Sequence, residues 1–271
     1  MERLICRESD KYNVCCQSLS DPVFTDDDRV LQNLLYTQHH YVIKTSYFKT
    51  VQDGLKIWMR EKVARWMIDV CEEERCESDV FPLSMNIMDR FLSLVKIFPS
   101  QLQLLSSVCI FLAAKLRQSK SIYAESLIRY SDYSFTKDQL ESWELLVLSH
   151  LGWDLAAVTP NDFLNLILRR LPTRGKSKIK LTTIKRHAQI FITICATDFR
   201  FSMLPPSFIA ASCIAAAMLG LTRLRSQGST KELIVQMCKM VSIDMNELLE
   251  LRQKLEDLVS QDSQEQKCSK K

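Results

Sequence analysis

Two stretches of this chain are apolar on nearly every side of a helix. The first, Gln103 to Lys115, holds no helix breaker, and its polar residues Ser106 and Ser107 are small; its first charge comes only at Lys115. The second, Pro206 to Gly220, repeats the pattern with many alanines. A helix that is apolar all round is enclosed by other helices. Two of them imply two similar helical domains, each organised around one such segment.

The segments around them are amphipathic. Asp26-Asp27-Asp28 opens a helix whose apolar residues Val30, Leu31, Leu34 and Leu35 share a face, with acids favourably placed at its start, so it should dock on a domain. Ile57, Met59, Val63, Trp66, Met67 and Val70 give the first long helix. Pro82 opens the second, through Leu94, and Pro99 marks the break before the central one. Shorter helices follow at 124–130 and 136–151. In the second half, Thr159-Pro160 reads as cap and first position of a helix to Leu171, followed by helices over 181–199, from Pro206, over 231–241 and over 244–259. The division expected is 1–50, a flexible arm with a docking helix; 51–156, the first five-helix domain; 157–260, the second; and 261–271, a polar, disordered tail.

Composition narrows the class without naming a partner. Only 5 glycines occur, where average usage would give about 19, which suits a nearly all-helical protein with few tight turns. The net charge of +4 mixes both signs and gives no strong pull toward nucleic acid or membrane. The ten cysteines are scattered without a CxxC pair, and Cys109, Cys195 and Cys213 lie inside apolar helices, a pattern of reduced thiols rather than a disulfide framework. No signal-peptide core opens the chain, and no uninterrupted apolar run reaches the roughly 18 residues of a membrane span; a soluble intracellular protein is expected. His39, His40, His150 and His187 have no metal-ligand spacing, no phosphate-binding glycine loop exists, and Cys15-Cys16 lacks a sequence partner. These features argue against an enzyme, a metal or a cofactor.

Taken in order, Met59-Arg60-Glu61-Lys62-Val63-Ala64-Arg65-Trp66-Met67, Val80-Phe81-Pro82-Leu83, Met88-Asp89-Arg90-Phe91-Leu92-Ser93, Leu102-Gln103-Leu104 and Ala113-Ala114-Lys115 resemble the first box of the cyclin family, and of its D-type members in particular. Leu151 to Phe163, with Trp153 and Thr159-Pro160, is similar to the junction between cyclin boxes. Lys185-Arg186-His187-Ala188-Gln189 and Cys195-Ala196-Thr197-Asp198 are similar to the D-type second box. The resemblance implies an all-α protein of two tandem five-helix boxes. It implies a regulatory subunit, not a catalyst, that binds and activates a G1 cyclin-dependent serine/threonine kinase, promotes the G1/S transition, and occurs in nucleus and cytoplasm.

The same resemblance assigns residues. Lys115 and Glu144 match the family's kinase-gripping pair, whose physical sense is that two opposite charges on neighbouring helices can hydrogen-bond backbone groups of a partner; Leu148 and Trp153, nearby, either add apolar contact or belong to the core. Met59, Val63 and Trp66 recur at helical spacing with Asp69 a turn on, which by itself reads as core. In the family they form, with Leu102 and Gln103, a groove for Arg-x-Leu peptides of substrates and inhibitors. Lys62 stands where the family usually has an aliphatic residue. Arg60 and Asp89 match an internal ion pair that fixes the first helix against the second. Leu4, Cys6 and Glu8 form Leu-x-Cys-x-Glu, whose i, i+2, i+4 positions face one way in an extended chain; D-type cyclins carry this motif for retinoblastoma-type pocket proteins. The Thr-Pro site common in D-type tails does not follow Thr159-Pro160 here.

A second class competes. Tandem cyclin-like boxes also occur in TFIIB-like DNA-binding transcription factors, and Arg169, Arg170, Arg174, Lys176, Lys178, Lys180, Lys185 and Arg186 form a basic run. Pro172 and Gly175 place much of it in a loop, and no zinc ribbon precedes the boxes, so nucleic acid is not expected as a partner.

Overall fold

The computed structural model describes Asp21 and residues 26–171, 181–222 and 228–269. Among these residues all regular structure is helical: α1 (Asp28–Thr37), α2 (Tyr47–Thr50), α3 (Ile57–Glu73), α4 (Val80–Leu92), α5 (Leu102–Arg117), α6 (Ala124–Tyr130), α7 (Lys137–His150), α8 (Pro160–Arg170), α9 (Leu181–Thr197), α10 (Phe199–Ser202), α11 (Pro206–Thr222), α12 (Gly228–Val241) and α13 (Met245–Ser269), with 3-10 turns at Gln38–His40 and Pro99–Gln101.

The two apolar segments sit where their composition requires. Helix α5 packs against α3, α4 and α7, and α11 against α8, α9, α12 and α13. The small residues let backbones approach, and three of their hydroxyls bond within the helix, while Ser207 Oγ at the start of α11 is buried without a partner. Ser106 and Ser107 donate to the carbonyls of Leu102 and Gln103 one turn back, and Ser212 to that of Ile209. By length and composition alone Pro99–Arg117 would suffice to cross a membrane. Its burial among three helices accounts for that composition instead.

Helix boundaries follow local chemistry. Thr136 and Gln139 cap each other at the start of α7, and at α8 the carboxylate of Asp162 accepts from the Thr159 N–H at 2.7 Å with Pro160 in the first position. Helix α4 begins at Val80, two residues before Pro82, because a proline in the first turn forfeits no helical hydrogen bond. The helix expected to run to Phe199 ends at Thr197, where Asp198 accepts from the Arg200 N–H at 2.8 Å and starts α10. Nor does the chain become irregular at Gln261: α13 continues to Ser269. Gln, Glu and Lys are adequate helix formers, and neither Gly nor Pro stops them.

The amphipathic first helix docks on the second domain, not the one that follows it. Arg170 on α8 donates to the Asp28 carboxylate (3.2 Å) and the Asp27 carbonyl (2.9 Å), and Arg169 approaches Asp26 at 3.7 Å. Gln38, just after α1, accepts from the Ser207 N–H at 2.9 Å at the start of α11. The next segment returns to the first domain: Gln52 donates to the carbonyls of Leu92 and Val95 and accepts from the Ile97 N–H. The N-terminal region therefore straps the two domains together.

Candidate functional site

Helix α5 leaves the core through the buried pair Ala113 and Ala114 and brings Lys115 to the surface. There Lys115 Nζ donates to Glu144 Oε1 of α7 at 2.5 Å and lies 3.9 Å from the centre of the Phe111 ring. The side chains are 46% and 16% exposed. An ion pair this open contributes at most about 1 kcal/mol, so stability does not explain two charges gathered on this rim. Their chain neighbours Leu116 and Leu145 are 50% and 61% exposed, uncovered apolar side chains on the same two helices that the periodicity did not reveal. The available signal was local: a leucine directly beside each singled-out charge.

Arg117 has a different task from Lys115. It makes a two-pronged contact with Asp162 of α8 (2.9 and 3.2 Å) and donates to the Ala157 carbonyl at 2.9 Å, anchoring the inter-domain junction. Trp153 is 69% exposed. Gly152 and Trp153 both have positive φ, +61° and +64°, and the Trp153 N–H returns to the Leu148 carbonyl at 2.9 Å. A bulky residue rarely takes this conformation, and here the α7 end fixes the indole on the outside. Leu148, expected beside it as a contact residue, is 8% exposed and packs into the core. It supports the rim from beneath rather than lining it.

The α3 stripe is neither fully core nor fully open. Val63 on α3 and Leu102 on α5 are buried, forming a floor, while Met59, Trp66 and Gln103 are half-buried. Trp66 Nε1 donates to the Tyr130 carbonyl at 3.3 Å, which holds its ring against the wall, and Gln103 Oε1 accepts from Ser134 Oγ at 3.4 Å. Asp69 and Lys62 are exposed. An apolar floor with half-open walls and an acid a turn away suits an aliphatic side chain next to a cation.

Arg60 and Asp89 form the expected ion pair, both about 1% exposed, through Nε–Oδ1 (2.8 Å) and Nη2–Oδ2 (2.7 Å). Its reach is wider than two helices. Tyr47 of α2 donates to Asp89 Oδ1 at 2.8 Å, and Ser202 of α10 donates to Oδ2 at 2.8 Å while accepting from Arg60 Nη2 at 2.9 Å. Arg60 also donates to the carbonyls of Thr197 (2.7 Å) and Ala196 (3.2 Å) in the second domain. Burial opposes the Arg60 charge, but Asp89 outweighs it and raises the guanidinium pKa. Burial, followed by the Asp89 charge, pushes the Tyr47 phenol well above its ordinary range, so the hydroxyl stays a donor.

The remaining sequence candidates separate clearly. Leu4, Cys6 and Glu8 lie outside the described residues, as do Arg174, Lys176, Lys178 and Lys180. Arg169 and Arg170, the start of the basic run, hold the N-terminal helix. No group of three metal-ligating side chains occurs among the described residues. His40 contacts Asp154 at 3.0 Å, His150 contacts the Leu146 carbonyl at 2.9 Å, and His187 is half-buried.

Residues 29–156 match the family description "Cyclin, N-terminal domain" and residues 158–271 match "Cyclin, C-terminal domain". With two all-helical boxes arranged around α5 and α11, the chain belongs to the cyclin family. Within the family its relatives are D-type. It is 50% identical to G1/S-specific cyclin-D2 of Gallus gallus over 80% of this chain and 73% of that one, and 48% identical to G1/S-specific cyclin-D3 of Mus musculus over 77% and 73%. The fold is shared with a viral cyclin from herpesvirus saimiri: TM-score 0.74, 24% identity, 86% of this chain and 97% of the other.

Proposed function

We propose that this chain is the regulatory subunit of a G1-class cyclin-dependent serine/threonine kinase and has no catalytic activity of its own. The observation that carries the reading is the Lys115–Glu144 pair, displayed on the first box with exposed Leu116 and Leu145 beside it. Such a rim can take the backbone of a partner's mobile helix by charge-assisted hydrogen bonds while the leucines and Trp153 cover its apolar face. Activation is a population shift: the bound cyclin favours the kinase conformation in which its helix is turned inward and the activation segment is open, and no cyclin side chain enters the phosphoryl transfer. The kinship to G1/S-specific cyclins supports this class of partner.

Two recruitment functions belong to the same proposal. The Met59, Val63, Trp66, Leu102 and Gln103 surface, with Asp69, takes Arg-x-Leu segments of substrates and inhibitors, and Leu4, Cys6 and Glu8 take retinoblastoma-type pocket proteins. A short linear motif binds modestly alone because it is ordered on binding, and tethering to the kinase raises its effective concentration. The protein would act in nucleus and cytoplasm at the G1/S transition. The test is Lys115→Glu: it should abolish kinase capture and leave the helical circular-dichroism signal unchanged. Undiminished capture by the folded variant overturns the assignment.

A further inference from the structure

Helix α3 ends in a turn that places two thiols together. The Cys76 N–H donates to the Cys71 carbonyl at 2.8 Å, the Arg75 N–H to the Glu72 carbonyl at 3.1 Å, and Arg75 is left-handed with φ +53°. This is the Schellman arrangement, in which the third residue from the helix end and the second residue beyond the C-cap Glu74 lie close enough for their side chains to meet. An apolar pair usually fills those positions; here they hold Cys71, buried, and Cys76, half-buried, both free thiols. We propose that Cys71 and Cys76 are a dithiol modification site, which a hydroperoxide converts into an intrachain disulfide across the end of α3.

The asymmetry of the pair gives the order of events. The neighbouring Cys71 side chain holds the Cys76 thiol below its ordinary pKa, helped by Lys120, against the opposing effects of burial and of the Glu74 and Glu77 charges. The Cys71 thiol is pushed well up, by Cys76 and then by burial. Cys76, also the more accessible, is the first nucleophile. Its thiolate attacks one peroxide oxygen, the O–O bond breaks, and a sulfenic acid and an alkoxide or hydroxide form. The Cys71 sulfur then attacks the Cys76 sulfur, the S–S bond forms as the S–O bond breaks, and the departing hydroxide takes the Cys71 proton as water. Two thiols are oxidised and one peroxide is reduced. The turn also carries Glu74, which accepts from the Tyr130 hydroxyl at 3.0 Å, and Glu77, whose N–H donates to Gln118 Oε1 at 3.1 Å. The bridge would thus pin the segment between the Trp66 wall and the end of α5.

The test uses the full chain with Cys6, Cys15, Cys16 and Cys268 replaced by Ser, treated with hydrogen peroxide, then denatured in the presence of an alkylating agent, so that the buried thiols are also blocked, and digested with trypsin without reductant. Cleavage after Arg75 puts the two cysteines on separate peptides, 66–75 and 76–90, so the bridge appears as a linked pair that reductant releases. The expected result is that linked pair, a loss of two hydrogens in intact mass and a loss of two alkylatable thiols. In Cys71→Ala the link should vanish and a sulfenic acid at Cys76 should become trappable by dimedone. The proposal is overturned if peroxide leaves both thiols alkylatable, or if it oxidises Cys76 without forming the link in the chain that retains Cys71.

Discussion

In the first box the central helix passes through Ala113-Ala114 and delivers Lys115 to the surface; in the second it passes through Ala216-Ala217 and delivers Met218, only 5% exposed. Interior demands are alike in both: small residues, with Ser106, Ser107 and Ser212 bonded back to their own helix, so that three helices pack around the first central one and four around the second. At the rim the demands diverge. The first box ends in a charge facing Glu144, whereas the second carries its apolar run on to Leu219 and Gly220. Duplicated packing therefore says little about duplicated function. The exposed charge at the rim is a residue that the core does not constrain, and among the described residues the end of the second central helix has no counterpart to it.

The largest effect is expected at the link between the boxes. Arg60→Ala leaves Asp89 buried without its cation and also removes the bonds to Thr197 and Ala196, so a loss of about 3–5 kcal/mol is expected. Urea unfolding of the whole chain checks it. Ser202→Ala, which removes one hydroxyl from the same network, should cost about 1 kcal/mol. If Arg60→Ala costs no more than Ser202→Ala, the pair is not what joins the boxes.

A smaller and symmetrical effect tests the interiors. Ala113→Leu in α5 and Ala210→Leu in α11 each place three extra carbons where exposure is zero, and should each cost about 1–3 kcal/mol by overpacking. A large inequality in unfolding free energy would show that the two central helices are not packed alike. Lys115→Gln, by contrast, should shift stability by about 1 kcal/mol or less, since the lysine end of the pair is half exposed and the glutamine amide can still donate to the largely covered Glu144.

How much was legible in advance follows the range of each interaction. Thr159, Pro160 and Asp162 announce α8 because a cap is settled within four residues. The all-round apolar runs announce the central helices for the same reason. Arg60 and Asp89 were readable as a pair by family resemblance, but their second-box partners lie 136 and 137 residues away and carry the signal on carbonyls, which every residue has. The seat of α1 on α8 was hidden likewise: three aspartates look like a helix start whether or not Arg169 and Arg170 wait for them. Leu148 follows Glu144 by four residues and so shares its side of α7, which left contact and core both open until the packing of α7 on α5 was seen to cover it. Cys71 and Cys76 looked scattered because their meeting depends on a left-handed Arg75 that no composition rule reveals.

The finest distinction lies inside the first box, between the wall of the α3 stripe and its acid. Trp66→Ala is a poor probe on its own, because the half-buried indole also bonds the Tyr130 carbonyl and its loss would disturb the fold along with any docking. Asp69 is exposed, so Asp69→Asn should leave stability within about 0.5 kcal/mol. If this carboxylate receives the arginine of an Arg-x-Leu segment, the variant should weaken a peptide containing that arginine a few-fold and leave its Arg-to-Ala counterpart untouched. The difference should shrink as salt is raised, since an exposed charge pair is screened over about 8–10 Å at ordinary ionic strength. Titration of both peptides against both proteins at two salt concentrations measures this coupling directly. Equal weakening of the two peptides would mean that Asp69 shapes the groove without reading the cation, and the acid would then have to be sought elsewhere on the first box.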